Sequence, residues 1–277
     1  MKENIYDYLR HKKRFPTVWC AGCGDGIVMH ALVRAIARLG YSRDEVVVVS
    51  GIGCSSRMPV YLDFNTLHTT HGRAIAFATG IKLFRPELKV IVITGDGDAL
   101  AIGGNHLIHA CRRNIDLTIV LINNFVYGMT GGQVSPTTPR GSYCYTSPYG
   151  NIESPFDVVK LAEGAGATFI ARTTTYHVVQ LANYLKRAIT HKGLSVVDIL
   201  AQCPTLYGRL NKQGSAVDSL RWLKEHAVPI KVAEKKKPEE LAGKFVTGVF
   251  KDVEAPEYTE LYWKLVREIS EPTVEEA

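Results

Sequence analysis

The stretch from Val90 to Thr138 constrains the chain more than any other. It opens on an apolar run, Val90-Ile91-Val92-Ile93-Thr94, that breaks into Gly95-Asp96-Gly97-Asp98. A segment of helical character follows, then a second apolar run from Leu117 to Ile122 ending in Asn123-Asn124. Short continuous apolar runs bounded by turn residues are the pattern of strands buried on both faces. Strand, acidic glycine turn, helix and second strand therefore predict one β-α-β unit. Both polar ends of such a unit fall at one edge of a parallel sheet, where open α/β folds bind ligands. Asp96 and Asn124 stand 28 positions apart, and one carboxylate and one amide oxygen at that edge can meet on a single hard cation. Gly95 and Gly97 let a phosphate approach the backbone.

The rest of the chain repeats the theme. Ile27 to Leu39 has a helical apolar face closed by Gly40, and Val46 to Val49 reads as a buried strand leading into Gly51-Ile52-Gly53-Cys54-Ser55-Ser56-Arg57. His68-Thr69-Thr70-His71-Gly72-Arg73 precedes a helix from about Ala74 to Phe84. Residues 125–153 read as one long loop, and a loop of that length in a compact domain is commonly functional. Its Gly-Thr-Pro composition directly after Asn-Asn suits a cover over a bound cofactor. Helices are expected over Pro155–Gly166 and Thr174–Thr190, with strands near Thr168–Ala171 and Leu194–Ile199. Alternating strands and helices predict an α/β doubly wound parallel sheet. Beyond about Arg209 that period stops: Ala216–His226 and Tyr258–Ile269 read as amphipathic helices joined by Lys/Glu/Pro-rich sequence. The expected division is a cofactor-binding domain over residues 1–209 and a C-terminal helical tail over 210–277, packed on the domain or on a partner.

Composition excludes several classes. The chain has 277 residues, 46% hydrophobic and 22% charged, with a net charge of +6. The basic clusters Arg10-His11-Lys12-Lys13-Arg14 and Lys235-Lys236-Lys237 are short and lack interleaved aromatics, so they read as solvated surface and not as a nucleic-acid face. No run approaches the length of a membrane span, and the charged start Met1-Lys2-Glu3-Asn4 is not a secretory signal. The expected compartment is the cytoplasm. There, cysteines are held reduced, for thiolate chemistry or plain burial.

Four of the six cysteines share a setting. Cys20, Cys23, Cys54 and Cys203 sit in turns beside glycine or proline, next to strand or helix ends, whereas Cys111 and Cys144 do not. Strand ends of one parallel sheet converge, so these four can meet around one centre. Four thiolates suit a [4Fe–4S] cluster and tetrahedral zinc equally.

Gly-Asp-Gly followed after a helix by Asn-Asn resembles the thiamine diphosphate signature. That resemblance implies Mg²⁺ held against the diphosphate by Asp96, Asn124 and the main chain of Val126. The strings Trp19-Cys20-Ala21-Gly22-Cys23-Gly24, Gly51-Ile52-Gly53-Cys54-Ser55, Thr130-Gly131-Gly132-Gln133 and Cys203-Pro204-Thr205 extend it. Together they resemble the β subunit of 2-oxoacid:ferredoxin oxidoreductases from about Pro16 to Tyr207, with variants closest to the 2-oxoglutarate members. The resemblance implies one [4Fe–4S] cluster on Cys20, Cys23, Cys54 and Cys203, and cofactor contacts from Ile52, Gly53, Cys54, Ser55, His71, Gly95, Gly97, Asp98, Gly128 and Met129. It implies oxidative decarboxylation of a 2-oxoacid to an acyl-coenzyme A with reduction of ferredoxin, or the reverse.

Four residues are expected nearest the substrate. Arg57 suits pairing with a substrate carboxylate, and His71 suits hydrogen bonding to the diphosphate or substrate. Thr130 and Gly131 face the substrate, the glycine leaving room for a side chain larger than that of pyruvate. His68, His106 and His109 are expected to carry no chemistry. Thiamine enzymes also need a carboxylate to activate the aminopyrimidine, commonly from a second α/β domain, and this chain offers no obvious candidate. An α subunit supplying that Glu is therefore expected, in an αβ or (αβ)₂ assembly. The rival readings are a pyruvate or broad-specificity member, a non-redox thiamine diphosphate decarboxylase or synthase, a nucleotide-binding dehydrogenase and a zinc-stabilised interaction module. The dehydrogenase lacks its Gly-x-Gly-x-x-Gly opening a helix.

Overall fold

A computed structural model describes residues 5–10 and 15–270. Most of the Arg10–Arg14 cluster, the first four residues and the last seven lie outside the described residues. In chain order the elements are α1 (Asp25–Leu39), β1 (Val46–Ser50), β2 (Asn65–His68), α2 (Ala74–Phe84), β3 (Lys89–Gly95), α3 (Gly104–Arg113), β4 (Thr118–Asn123), β5 (Val126–Tyr127), β6 (Gln133–Val134), α4 (Val158–Ala165), β7 (Phe169–Thr174), α5 (Val178–Thr190), β8 (Ser195–Leu200), α6 (Ala216–His226), β9 (Ala227–Pro229), α7 (Ile230–Ala233), β10 (Phe245–Asp252) and α8 (Tyr258–Ser270).

The main sheet has the order β2-β1-β3-β4-β8-β7-β10-β9. Its first six strands run parallel. Each central strand splits its apolar side chains between two cores. Val46, Val48, Ile91, Ile93, Val120 and Ile122 face α1 and α5, and Val47, Val49, Val90, Val92, Ile119 and Leu121 face α2, α3 and α4. Burial on both faces explains why these strands read as unbroken apolar runs. Strand order reverses at β1, which sends the chain outward to β2 and back across to β3, leaving a crevice beyond their C-terminal ends.

The region after Arg209 differs from a purely helical tail. Its two helices form as expected, but β10 pairs antiparallel with β7 and carries β9 parallel on its outer side. The tail thus extends the sheet. Phe245 of β10 and Trp222 of α6 also pack on Phe125, with ring centroids 5.6 and 6.4 Å away. Phe125 sits at φ 64° directly after Asn124, a costly conformation for a bulky residue, and its buried ring anchors that turn. The long loop after β4 contains the β5–β6 hairpin. At the opposite edge of the sheet, α8 fastens to α2 through Trp263 Nε1, which donates to Leu83 O at 2.9 Å.

Candidate active site

Two cavities open at the C-terminal rim of the sheet, and they share a wall. The first, of about 290 Å³, is lined by the turns after β1, β3 and β4, including Ile52–Ser55, His71, Gly95–Asp98, Asn124 and Val126–Thr130. The second, of about 390 Å³, holds Cys20, Cys23, Cys54 and Cys203 together with Trp19, Gly131 and Pro204. Cys54, Asn124, Gly128 and Met129 line both. A Cβ built on Gly128 would stand 3.2 Å from Cys54 Sγ and 3.9 Å from Cys203 Sγ, so at Gly128 the partition between the cavities is bare backbone.

Asp96 is 3% exposed, and its Oδ2 accepts from Ser135 Oγ at 2.6 Å and Thr137 Oγ1 at 2.5 Å. Burial pushes its carboxyl up to about 6, against the pull of those two donors. Asn124 Oδ1 accepts from Val126 N at 3.2 Å and keeps a second lone pair toward the same cavity.

Asp98, also 3% exposed, holds the surrounding loops to one another. Its Oδ1 accepts from Gly72 N at 2.7 Å and Ile52 N at 3.3 Å, and its Oδ2 from Thr94 Oγ1 at 2.9 Å. His71 Nδ1 lies 2.7 Å from Asp98 Oδ1 without making a hydrogen bond to it. Tyr127 completes the wall, its hydroxyl donating to Gly97 O at 3.2 Å. A Cβ on Gly97 would fall 2.2 Å from its Cε1, so only glycine fits beneath the ring.

The cysteine loops are tied chiefly through their backbones. Trp19 Nε1 donates to Cys54 O at 2.8 Å, Gly24 N to Gln202 O at 3.1 Å, and Gln202 Nε2 to Gly22 O at 3.0 Å. Burial raises the Cys23 and Cys203 thiols and pushes that of Cys54 up to about 12. The amides of Leu206 and Tyr207 point at the Cys203 sulfur and oppose the shift without reversing it. Redox-active or nucleophilic cysteines show the reverse, a lowered pKa. Sulfurs held this way ionise when a cation arrives. Among the described residues no three His, Cys, Asp or Glu groups converge as a single-ion site.

Residues 51–199 match the family described as thiamine pyrophosphate enzyme, C-terminal TPP binding domain. The chain is 52% identical over 262 residues to 2-oxoglutarate synthase subunit KorB of Methanocaldococcus jannaschii, covering 95% of this chain and 97% of that one. It is 44% identical to the 2-oxoacid:ferredoxin oxidoreductase subunit beta of a Sulfolobus species, over 85% of this chain and 77% of the relative. Among solved structures it superposes on 2-oxoglutarate:ferredoxin oxidoreductase from Magnetococcus marinus, with 2-oxoglutarate, coenzyme A and succinyl-CoA bound. The TM-score there is 0.86 at 35% identity, covering 98% of this chain and 92% of the other. The chain belongs to the 2-oxoacid:ferredoxin oxidoreductase β subunits.

In this β subunit most residues singled out from sequence meet at the rim. Ile52, Gly53, Cys54, Ser55, His71, Gly95, Asp96, Gly97, Asp98, Asn124, Val126, Gly128, Met129 and Thr130 line the first cavity, and Gly131 lines the second. Thr130 is clamped by Gln133, whose Nε2 donates to Thr130 O at 2.8 Å. Arg57 lies half-buried on a 3-10 turn, Ser55–Val60, and lines neither cavity. His68, His106 and His109 also stand outside both. Cys111 and Cys144 are buried, at 0% and 1% exposure. Sequence reasoning passed over Tyr127, Ser135, Thr137 and Gln202. A Gln directly before Cys203 and a hydroxyl-rich Ser-Pro-Thr-Thr tract after the hairpin were the available signals.

Proposed function

We propose that the chain is the β subunit of a 2-oxoglutarate:ferredoxin oxidoreductase, binding thiamine diphosphate with Mg²⁺ in the first cavity and a [4Fe–4S] cluster in the second. The observation that carries this reading is the shared wall at Cys54, Asn124, Gly128 and Met129: a cofactor at one face and a cluster at the other would be separated by these four residues. The residues fit both groups. Asp96 is a buried carboxylate whose side-chain partners are the Ser135 and Thr137 hydroxyls, and Asn124 and the Val126 carbonyl complete an all-oxygen set for a hard ion. Cys20, Cys23, Cys54 and Cys203 line one cavity, which supports a four-thiolate cluster there.

Bound there, thiamine diphosphate would supply the electron sink for decarboxylation and the cluster a one-electron acceptor. The chain's own part is positioning. Asp96, Asn124 and Val126 would hold the cation, Gly95 and Gly97 admit the diphosphate to the backbone, and His71 sits where it reaches diphosphate or substrate. Thr130, in the first cavity, and Gly131, in the second, would face the substrate from the loop beside the shared wall. The carboxylate that activates the aminopyrimidine comes from an α subunit, in an αβ or (αβ)₂ assembly working in the cytoplasm. No helix among the described residues is long and apolar enough to cross a membrane.

The test is an anaerobic assay of the co-expressed complex with several 2-oxoacids, coenzyme A and ferredoxin. Turnover is expected to favour 2-oxoglutarate and to vanish when the β chain is assayed alone. Full turnover by the isolated chain, or preference for pyruvate, overturns the corresponding part of the reading.

A further inference from the structure

Behind Asp96 a file of buried polar side chains crosses three strands. Ser135 and Thr137, 3% and 4% exposed, place both hydroxyls on the same carboxylate oxygen, Oδ2, and stand 3.2 Å from each other. Thr138, fully buried, locks the segment that carries them. Its Oγ1 accepts from Ser135 N at 2.8 Å and donates to Phe125 O at 2.7 Å. On its far side Thr137 Oγ1 lies 2.9 Å from Asn123 Oδ1, and its single proton serves Asp96 or Asn123 at any moment. Asn123 Nδ2 donates to Asp198 Oδ1 at 3.3 Å. Asp198 Oδ2 accepts from Arg172 Nε at 2.7 Å, and Arg172 reaches Asp157 Oδ1 at 2.6 Å, at the N-terminus of α4.

Such a file is costly to bury unless every member is satisfied, and here each has its partner. Its effect at the near end is geometric. An Asp carboxylate turns freely about χ2, but two hydroxyls converging on Oδ2 remove that freedom and leave Oδ1 as the oxygen offered to a cation. The residues doing this come 39 and 41 positions after Asp96, from the loop whose earlier part, Tyr127–Thr130, lines the cavity.

We infer that Ser135 and Thr137 are positioning residues for the cation-binding acid, so that folding of the 135–138 segment and aiming of Asp96 are one event. The inference rests on the thiamine diphosphate–Mg²⁺ reading given above.

The experiment uses the co-expressed complex, stripped of divalent ions with a chelator. It is supplied with saturating thiamine diphosphate and titrated with MgCl₂, with binding followed by calorimetry and tryptophan fluorescence. Outer-shell partners of metal ligands typically govern roughly 10–100-fold in affinity. Thr137→Val is expected to raise the half-saturating Mg²⁺ concentration within that range, Ser135→Ala by less, and Thr137→Ser to return it close to wild type. An unchanged titration of Thr137→Val overturns the inference. Should that variant fail to assemble, Ser135→Ala decides: a wild-type Mg²⁺ titration there overturns it equally. A wild-type complex showing no Mg²⁺-dependent cofactor binding would instead sink the functional reading on which the inference stands.

Discussion

At the acid–amide cavity the side chains come already fastened. Asp96 is held by Ser135 and Thr137, Asp98 by Gly72, Ile52 and Thr94, and Tyr127 by Gly97. Across the shared wall the arrangement is reversed. There the backbone is fastened, by Trp19 and Gln202, while burial raises the thiols of Cys23, Cys54 and Cys203. Two sulfurs have polar neighbours of their own: Cys203, which faces the amides of Leu206 and Tyr207, and Cys23, whose Sγ lies 3.3 Å from Asp25 Oδ2, a contact that suits a protonated thiol and opposes a thiolate. The difference teaches that, on the proposed reading, one cavity is shaped for its guest beforehand, whereas the other would take its final electrostatic state from the guest. A bound cationic cluster would ionise the thiols outright, and its binding energy would then be part of what holds the cysteine loops together.

The largest expected effect breaks the second side alone. Of the two rim cavities Cys203 lines only the cysteine one, so Cys203→Ser in the anaerobically prepared complex should abolish iron retention, visible absorbance and ferredoxin reduction. Mg²⁺-dependent thiamine diphosphate binding should persist, because that cavity is held by its own hydrogen bonds. Iron and sulfide analysis beside a cofactor titration on one sample checks both halves. A full iron complement in the variant would remove Cys203 from the ligand set.

A smaller effect is expected on the preformed side. Gly97→Ala would place a methyl group 2.2 Å from Tyr127 Cε1, and inserting a methylene into a packed site costs about 1–3 kcal/mol. If that cost falls on cofactor binding, affinity drops by roughly 5–150-fold, with iron content unchanged. Unaltered thiamine diphosphate affinity would mean that the Tyr127 ring swings aside freely, and the claim of a preformed cavity would go with it.

How far the sequence carries to these conclusions differs along the chain, for physical reasons. The strands and turns of the rim were legible because double-faced burial writes itself as Val90–Thr94 and Leu117–Ile122, and because glycines mark where backbone must come close. That the four cysteines could meet follows from parallel topology, and their being one ligand set is what the family resemblance implies. β10 was not legible: its partner β7 lies some 75 residues earlier, its pairing slips between Val249 and Lys251, and no local period announces an antiparallel strand added at an edge. Asp98 was read as a cofactor contact, and it does line the cavity, yet its carboxylate is spent on Gly72, Ile52 and Thr94. The aim of Ser135 and Thr137 was invisible for a related reason. A Ser-Pro-Thr-Thr tract reads as loop until the coordinates show which oxygen its hydroxyls reach.

The smallest effect calibrates the others. Trp263 belongs to α8, and its Nε1 donates to Leu83 O at the end of α2, on the edge of the sheet opposite both cavities. Trp263→Phe keeps an aromatic ring but removes that donor, and a single hydrogen bond of this kind contributes about 1 kcal/mol net. For a chain of this size that corresponds to a fall in melting temperature of roughly 2–4 °C. Iron content and the Mg²⁺ titration should stay at their wild-type values, because nothing in the hydrogen-bonded file behind Asp96 or in the Trp19–Gln202 ties passes through α8. Calorimetry of the assembled complex gives the first quantity, and the same sample gives the other two. Should this variant also lose iron or loosen Mg²⁺, the losses in Cys203→Ser and Gly97→Ala would report general destabilisation, and the contrast between a fastened and a guest-organised cavity would fail.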